Sequence, residues 1–252
     1  MKFITFDSST KALSVALAEG EQPTDFTIKA STTTLGKRQH GQTLAPAVEN
    51  ILKQADWKMS EIDAIIVGNG PGSYTGLRIG VTFAKVWANA TKLPLYSVSS
   101  LALMAGAASE RTDFVLPIMD ARRQTAYTAL YQYDNQGVLE AVEHDQHIKF
   151  DVFLAKIKKH INSNSTLTLV GTDIDEFVEM AIRQLPTTKL TVIDDWNAYP
   201  HAVHTFGKVP WTQIEEPTLL APNYAHATLA EQEWAEKSDS DTLNPDELID
   251  FK

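Results

Sequence analysis

A glycine-rich segment is the feature that most restricts how this chain can fold. Residues 68–80 hold five glycines in thirteen positions and directly follow the apolar run Ile65-Ile66-Val67. Glycine is used where φ must be positive or where two backbones approach closely. The order predicts a strand, a tight loop and a helix, an arrangement that commonly binds phosphate.

The spacing within this loop matches neither common nucleotide motif. A P-loop needs Gly-x-x-x-x-Gly-Lys followed by Ser or Thr, and the first lysine after the loop is Lys85. A dinucleotide loop needs Gly-x-Gly-x-x-Gly, but Ser73 and Thr75 occupy the positions where its third glycine would lie. The loop resembles a nucleotide-binding element that lacks the groups for nucleotide chemistry.

The helix predicted over residues 76–90 is unusually apolar. At about 100° per residue, Arg78, Thr82, Lys85 and Asn89 form one narrow polar stripe. The remaining arc of roughly 220° is apolar, about twice the arc that a surface helix of a globular domain buries. Two interpretations stay open. The helix is buried between two layers of its own domain, or one face packs in the core while a partner chain covers the other.

The composition is that of a soluble globular protein. Of the 252 residues, 43% are hydrophobic and 21% are charged, which is ordinary for one large or two moderate domains. The formal charge of −10 argues against binding of nucleic acid by this protein without a partner, because phosphates are neutralised by clustered Lys and Arg. The chain has no cysteine, and its first residues have the pattern of a strand rather than a signal peptide. We therefore expect a cytoplasmic protein.

The order of predicted elements indicates an α/β fold with mixed sheets flanked by helices. Three strands are predicted first, at residues 3–7, 12–18 and 25–31. A helix over 44–55 follows, and strand and helix then alternate as far as a second helix that ends at Ala108. Polar residues after Ala108 predict a boundary between two blocks.

The second block opens with strands predicted at 115–119 and 125–131. Its later elements are a strand, a helix and a strand, predicted at 167–170, 174–185 and 190–193. Both blocks begin with a strand that ends in an acid, Asp7 or Asp120, although we find no sequence repeat. We therefore predict a first lobe joined by a late helix, a second lobe, and a disordered acidic tail, over residues 1–108 with 226–237, 109–225 and 238–252.

The turn Asp7-Ser8-Ser9-Thr10 is the first candidate for chemistry. At the end of a β-hairpin these residues could contact a nucleotide phosphate, with Asp7 positioning a metal-bound water. Asp, Ser and Thr also favour turns for purely local reasons. The structural interpretation is the one that we favour.

His40 and Arg122 are weaker candidates. A helical metal pair needs a second histidine one turn after His40, but that position is Leu44, so no metal site is predicted. Arg122 follows a strand where an ATPase lobe would need adjacent glycines for its phosphates, and it could instead hold a carboxylate of a partner or of the protein itself. The other histidines, including His201 and His204, are expected at the surface.

Several segments match the pattern of one known protein family. The most specific is the string Gly-Pro-Gly-Ser-x-Thr-Gly-x-Arg-x-Gly at 70–80. The others are residues 4–10, 13–17, His40 with Leu44 and Pro46, 118–122, and 222–224 with 230–231. Ala225-His226 departs from the Leu-Arg that the family usually has after the tyrosine. On these residues the sequence resembles the TsaB family, also called YeaZ.

The resemblance implies a two-lobed actin-like ATPase (ribonuclease-H-like) fold that has lost working catalytic machinery, so no catalytic residue is expected. It implies a non-catalytic subunit that supports TsaD, a metal- and nucleotide-binding paralogue. With the ATPase TsaE, the two transfer threonylcarbamoyl to the adenosine beside the anticodon of tRNA. It also implies a homodimer when alone, tRNA contact only through the complex, and no cofactor beyond vestigial nucleotide binding.

The resemblance and the apolar helix together define two sets of candidate residues. The partner interface is expected to pair two N-terminal-lobe helices with those of TsaD, through Leu44, Val48, Ile51, Leu52, Ile79, Phe83, Val86 and Trp87. The degenerate nucleotide site is expected at Asp7, Ser8, Thr10, Gly70, Gly72, Ser73, Thr75, Gly76 and Arg78.

Two other functions are weighed against the scaffold role. The first is an enzyme that acts alone, either an actin-like ATPase or phosphotransferase, or a peptidase, with Asp7, Thr10 and the glycine-rich loop holding Mg-nucleotide. The second is direct tRNA binding through Lys37, Arg38 and His40, which runs against the net charge.

Overall fold

The structure is a computed structural model that describes residues 1–21, 25–36 and 40–225 of the chain. Its strands are β1 (Lys2–Asp7), β2 (Ala12–Glu19), β3 (Thr27–Leu35), β4 (Ala64–Gly68), β5 (Leu95–Val98), β6 (Phe114–Asp120), β7 (Thr125–Tyr133), β8 (Leu139–Lys149), β9 (Thr166–Val170), β10 (Lys189–Ile193) and β11 (Thr212–Ile214). Its α-helices are α1 (His40–Gln54), α2 (Tyr74–Thr91), α3 (Ser100–Ala105), α4 (Phe150–Ile157) and α5 (Asp175–Gln184). Short 3₁₀ turns lie at Met59–Glu61, Trp196–Ala198, Ala202–Thr205 and Pro217–Leu219.

The strands form two mixed sheets, as predicted. The first has the order β11-β5-β4-β1-β2-β3 and the second the order β10-β9-β6-β7-β8. In each sheet the first strand in sequence is central, pairs antiparallel with the second, and runs parallel to the fourth. The two blocks therefore share one topology, as their matching acid-ended first strands suggested.

Each sheet carries apolar side chains on both faces, so other layers of the protein pack against both faces. The outer face of the first sheet packs against α1 and α2 through residues such as Phe6 and Val15. The inner faces of the two sheets meet across α3 and the 198–209 segment. The outer face of the second sheet is covered by α4 and α5. This explains why β1 and β2 are buried along almost their whole length.

The position of α2 decides between the two interpretations of its apolar arc. It lies in an outer layer, so it is not enclosed between two layers of its own domain. It buries Leu77, Val81 and Ala84 against the sheet, while Val86 on the opposite side remains 64% exposed. The second geometry, with one face in the core and another face open, is the one observed.

Some predicted elements differ from the structure. Helix α3 ends at Ala105 rather than Ala108, and β3 runs to Leu35 rather than residue 31. The sequence analysis assigned no element to β8, α4 or β11. Strand β8 was missed because charged residues interrupt its alternation, whereas α4 carries an i, i+3, i+4, i+7 apolar pattern that would have revealed it.

The predicted lobe ranges remain a prediction. Residues 212–220, which the prediction assigns to the second lobe, pack with the first sheet. Strand β11 pairs with β5 in the first sheet. Leu220 is buried in the core beneath α1 and α2, so residues after the second sheet return to the first. The predicted helix at 226–237, the acidic tail at 238–252, and Lys37 and Arg38 lie outside the described residues. None of the described helices is long and apolar enough to cross a bilayer.

Candidate functional site

The carboxylate of Asp7 is fully engaged inside the protein. Its Oδ1 accepts hydrogen bonds from the backbone N–H of Ser9 at 2.8 Å and the Ser9 hydroxyl at 2.7 Å. Its Oδ2 accepts one from the Ser100 hydroxyl at 2.6 Å. Burial raises the pKa of Asp7, and these hydrogen bonds act in the opposite direction. Asp7 therefore ties the β1–β2 turn to the start of α3.

The glycine-rich loop brings the start of α2 against that same turn. Ser73 caps α2 with its side chain, which accepts from the Gly76 N–H, and its own N–H donates to the Ser9 carbonyl at 2.6 Å. The Ser8 hydroxyl donates to the Gly76 carbonyl at 2.9 Å. A Cβ on Gly76 would collide with the Ser8 carbonyl, and one on Gly80 would collide with the Ser8 hydroxyl. These glycines thus permit close packing of backbone on backbone.

A cleft of about 750 Å³ lies between the two sheets, where the β1–β2 turn faces the β6–β7 turn. Five of the predicted nucleotide-site residues line it, together with polar residues of the second block. These are Thr10, Gly72, Ser73, Thr75 and Gly76 on one side and Asp120, Arg122, Tyr127 and Asp173 on the other. Asp7, Ser8 and Gly70 do not line this cleft, and Arg78 does not either, so the predicted set is divided.

Two of the carboxylates in the cleft, those of Asp173 and Asp120, interact with groups of the protein itself. The Lys11 ammonium lies 3.8 Å from an Asp173 carboxylate oxygen and 5.5 Å from the Tyr199 ring centre. Its interaction with Tyr199, more than that with Asp173, raises the pKa of Lys11. Asp120 accepts a hydrogen bond from the backbone N–H of Arg122 at 2.7 Å, within a turn where Arg122 has a φ of 71°.

Three histidines, His40, His201 and His204, make hydrogen bonds within the protein. His40 begins α1 and donates from Nε2 to the Thr10 carbonyl at 2.7 Å. The expectation that His201 and His204 lie at the surface was wrong. His201 is buried and bonds to Thr33 and the Trp196 carbonyl, and His204 donates to the Leu103 carbonyl at 2.8 Å. Within residues 1–21, 25–36 and 40–225, no three His, Asp or Glu side chains are arranged to hold a metal.

A second opening is a groove of about 640 Å³ between α1 and α2. Its walls are Ile79, Phe83 and Val86 of the predicted interface, with Leu44 at its base. Arg78, Tyr74, Thr75, Thr82, Gly41 and Ala45 complete the lining. This groove follows the open side of α2.

The other predicted interface residues lie beneath the groove rather than in it. Val48, Ile51, Leu52 and Trp87 are buried in the core between the helices and the first sheet. A side chain that its own protein encloses cannot itself contact a partner in this conformation. These four residues lie beneath the groove and support its walls. The groove surface also includes three residues that the sequence analysis did not assign to an interface, Tyr74, Thr75 and Thr82.

Comparison with known proteins places these features in a family. A sequence model described as "TsaD: tRNA N6-adenosine threonylcarbamoyltransferase" matches residues 31–189. The "tRNA threonylcarbamoyladenosine biosynthesis protein TsaB" of Bacillus subtilis is 32% identical, over 94% of this chain and 99% of that protein. The protein of the same name in Escherichia coli is 35% identical, over 88% of this chain and 82% of that protein.

Two solved structures from Pseudomonas aeruginosa share the fold. One, described as YeaZ, has a TM-score of 0.67 at 26% identity and covers 82% of this chain and 89% of that chain. The other, described as similar to peptidase YEAZ, has a TM-score of 0.71 at 25% identity and covers 89% of this chain and 99% of that chain. The repeated sheet topology and these neighbours identify the predicted two-lobed actin-like fold. The chain belongs to the TsaB (YeaZ) family of tRNA threonylcarbamoyladenosine biosynthesis proteins.

Proposed function

We propose that this protein is a non-catalytic subunit in the synthesis of threonylcarbamoyladenosine in tRNA, and that it supports TsaD by docking through the α1–α2 groove. The observation that carries the proposal is the open apolar side of α2. Ile79 and Phe83 are only half buried and Val86 is 64% exposed, although each lies on a helix whose opposite face packs in the core. An apolar surface of this kind is typical of a protein–protein interface.

The internal use of Asp7 supports a role without chemistry. A catalytic carboxylate must reach the reacting group or a metal. Asp7 instead accepts three hydrogen bonds from Ser9 and Ser100 and is completely buried. Its contacts account for the Asp-Ser-Ser-Thr pattern as a structural turn. TsaE, tRNA and a cytoplasmic location enter the proposal through the family, with tRNA contacted by the assembled complex.

The test is Val86→Glu, measured by pull-down with TsaD and by tRNA modification in a mixture with TsaD and TsaE. Val86 is exposed, so the variant is expected to fold. In the complex it would bury an unpaired carboxylate at a cost of a few kcal/mol, which corresponds to roughly 30-fold weaker binding or more. The matched control is Ile182→Glu, a 55% exposed position on α5 of the other lobe.

Equal binding and activity of both variants would contradict the proposed interface.

The alternative of an enzyme acting alone is tested by calorimetry with Mg-ATP on the isolated protein. The scaffold proposal predicts no turnover by the protein alone. Micromolar binding and turnover that disappear in Asp7→Asn would favour the enzyme instead.

A further inference from the structure

A third opening lies between the two lobes, and it shares no lining residue with the cleft or with the α1–α2 groove. It is a cavity of about 780 Å³. One wall belongs to the first sheet and the chain beside it, through residues such as Asn69 and Thr212, and the other belongs to β7 and β8, through residues such as Tyr131 and Asp145. Sites for small molecules commonly have this size and lie between two domains.

The wall that the second sheet contributes is acidic. The carboxylates of Asp134, Glu140 and Asp145 line it, whereas no described residue that lines the cavity is Lys or Arg. None of the three forms an ion pair with a Lys or Arg in the described parts of the chain. Glu143 lies on the same strand but outside the cavity, and the Lys156 ammonium is 2.6 Å from its carboxylate. The acids at the cavity therefore lack the cation that their neighbour has.

Asp145 is held in position by neutral groups alone. Its two oxygens accept hydrogen bonds from the Ser99 hydroxyl at 2.6 Å and the Tyr131 hydroxyl at 2.7 Å. An ionised carboxylate can accept about four hydrogen bonds, so each oxygen can accept one more. Burial raises the pKa of Asp145 because it removes water from the charged form. A cation in the cavity would balance this charge.

Asn69 supplies a second, independent observation from the opposite wall. Its backbone is paired on both sides, because its N–H donates to the Val98 carbonyl at 2.9 Å and its carbonyl accepts from the Asn223 N–H at 2.8 Å. Its side-chain Oδ1 is buried and has no donor within the described residues. A buried amide oxygen without a donor is destabilising and uncommon in native proteins. An N–H group of a ligand is the complement that this oxygen lacks.

We propose that this cavity binds a small organic polycation, an aliphatic diamine or polyamine, with Asp145 as its counter-ion and Asn69 as a second acceptor. Glu140 and Asp145 are five residues apart on β8, about 16 Å along a strand. An elongated molecule with an amino group at each end reaches both, and Val98 and Leu139 offer apolar surface to its methylene groups. The inference goes beyond the proposed function, because no residue of the α1–α2 groove takes part.

The test is calorimetry with spermidine on the full chain alone, at pH 8 and an ionic strength of about 0.15 M. Alkylamines are protonated at this pH, whereas free imidazole is not. We expect one bound molecule per chain and at least tenfold weaker binding to Asp145→Asn, which keeps the shape of the side chain and removes its charge. The matched control is Asp194→Asn, which removes the same charge at an exposed position outside the cavity and should bind within twofold of the unchanged protein.

Asn69→Ala keeps the inference testable if Asp145→Asn does not fold. The Asn69 amide oxygen accepts no hydrogen bond in the described chain, so its removal should leave the fold intact and weaken spermidine binding several-fold. Thermal unfolding gives a second readout, because a ligand that binds only the folded state raises the melting temperature. Spermidine should raise that of the unchanged protein and of Asp194→Asn, and raise that of Asn69→Ala less.

Three results would overturn the inference. The first is the absence of both binding heat and a rise in melting temperature. The second is equal weakening by Asp145→Asn and Asp194→Asn, which would show a general attraction of spermidine to an acidic protein. The third is displacement of spermidine when Mg²⁺ replaces sodium at the same ionic strength, which would show that charge alone is recognised. Because the measurement contains no TsaD, its failure would leave the proposed function unaffected.

Discussion

At the scale of single residues, glycines after β4 allow close packing, whereas their spacing in the sequence suggested a nucleotide-binding loop. Gly76 and Gly80 face Ser8 so closely that neither has room for a Cβ. The same glycine-rich signal serves phosphate binding when backbone N–H groups face a ligand. Here much of it serves contact between α2 and the β1–β2 turn, because the neighbour is the protein's own backbone.

We expect Gly76→Ala to lower the free energy of unfolding by about 2–3 kcal/mol, since the added methyl forces α2 away from the Ser8 carbonyl. The control is Gly41→Ala in α1, where the added Cβ would meet only the end of Ile79 at 3.7 Å. That variant should be neutral or more stable by up to about 1 kcal/mol, because alanine favours a helix over glycine. Urea denaturation measures both, and equal effects would contradict this account of Gly76.

His204 gives the protein an acid-sensitive contact. Burial lowers the pKa of His204 to about 4, and the nearby charges of His201 and Lys208 add to that effect. The unfolded chain binds the proton near pH 6.5, so this histidine's contribution to stability is complete above that pH and is lost as the pH falls toward 4. The loss should be about 2 kcal/mol between pH 7 and pH 5.

We expect His204→Asn, whose amide can still donate to the Leu103 carbonyl, to be less sensitive to acid over that range. Unfolding free energies of both proteins at pH 7 and pH 5 provide the comparison. An identical loss in the two would mean that the His204 side chain takes up no extra proton on unfolding.

At the scale of elements, one hydrogen-bonded group joins the two lobes at the start of α3. The Ser99 hydroxyl donates to Asp145 Oδ2 at 2.6 Å, and the Tyr131 hydroxyl donates to Asp145 Oδ1 at 2.7 Å. Burial raises the pKa of both Asp145 and Tyr131. Because Ser99 precedes α3 while Tyr131 and Asp145 lie on β7 and β8, the group fixes this helix against the second sheet.

We expect Tyr131→Phe to cost about 1–2 kcal/mol of unfolding free energy, because the ring still fills its space while Asp145 loses one of two donors. Tyr131→Phe in a Ser99→Ala background provides the control. If the two donors act through one carboxylate, the double change should differ from the sum of the single changes. Strict additivity would indicate that the two hydrogen bonds are independent.

At the scale of the whole molecule, the two lobes share one strand order without any repeat in sequence. The signal in the sequence was limited to two strands that each end in an acid, Asp7 and Asp120. The acids themselves have different positions: Asp7 is enclosed, whereas Asp120 is exposed at the cleft. Equal strand order therefore does not give the two acids equal surroundings, because those depend on what packs against each strand end.

The exposed apolar lining of the α1–α2 groove leads to a prediction about how the protein assembles in solution. We expect the mass of the chain alone, measured by light scattering, to rise with concentration toward that of a homodimer. When TsaD is added, the mass should change to that of a heterodimer with TsaD. Val86→Glu should shift both equilibria toward single chains, since its charge would be buried in either pair. A chain that stays single at every concentration and ignores TsaD would contradict a docking role for α1 and α2.

Periodicity determined much of the architecture, because strands and helices with a buried face repeat their apolar residues at intervals that can be read directly. It located the central strands, α1, α2 and the loop between β4 and α2. It missed β8 because that edge strand is only partly buried, and its charged residues are satisfied by tertiary partners, such as Glu143 by Lys156 and Asp145 by Tyr131.

What only the tertiary structure decided is which side chains remain available at the surface. The eight predicted interface residues have similar apolar character in sequence, yet packing of α1 and α2 on the first sheet encloses Val48, Ile51, Leu52 and Trp87 and leaves Val86 open. Likewise Asp7 and Thr10 are neighbours in one turn, but only Thr10 lines the cleft. The chemical type of a residue is local, whereas its exposure depends on contacts between segments far apart in the chain.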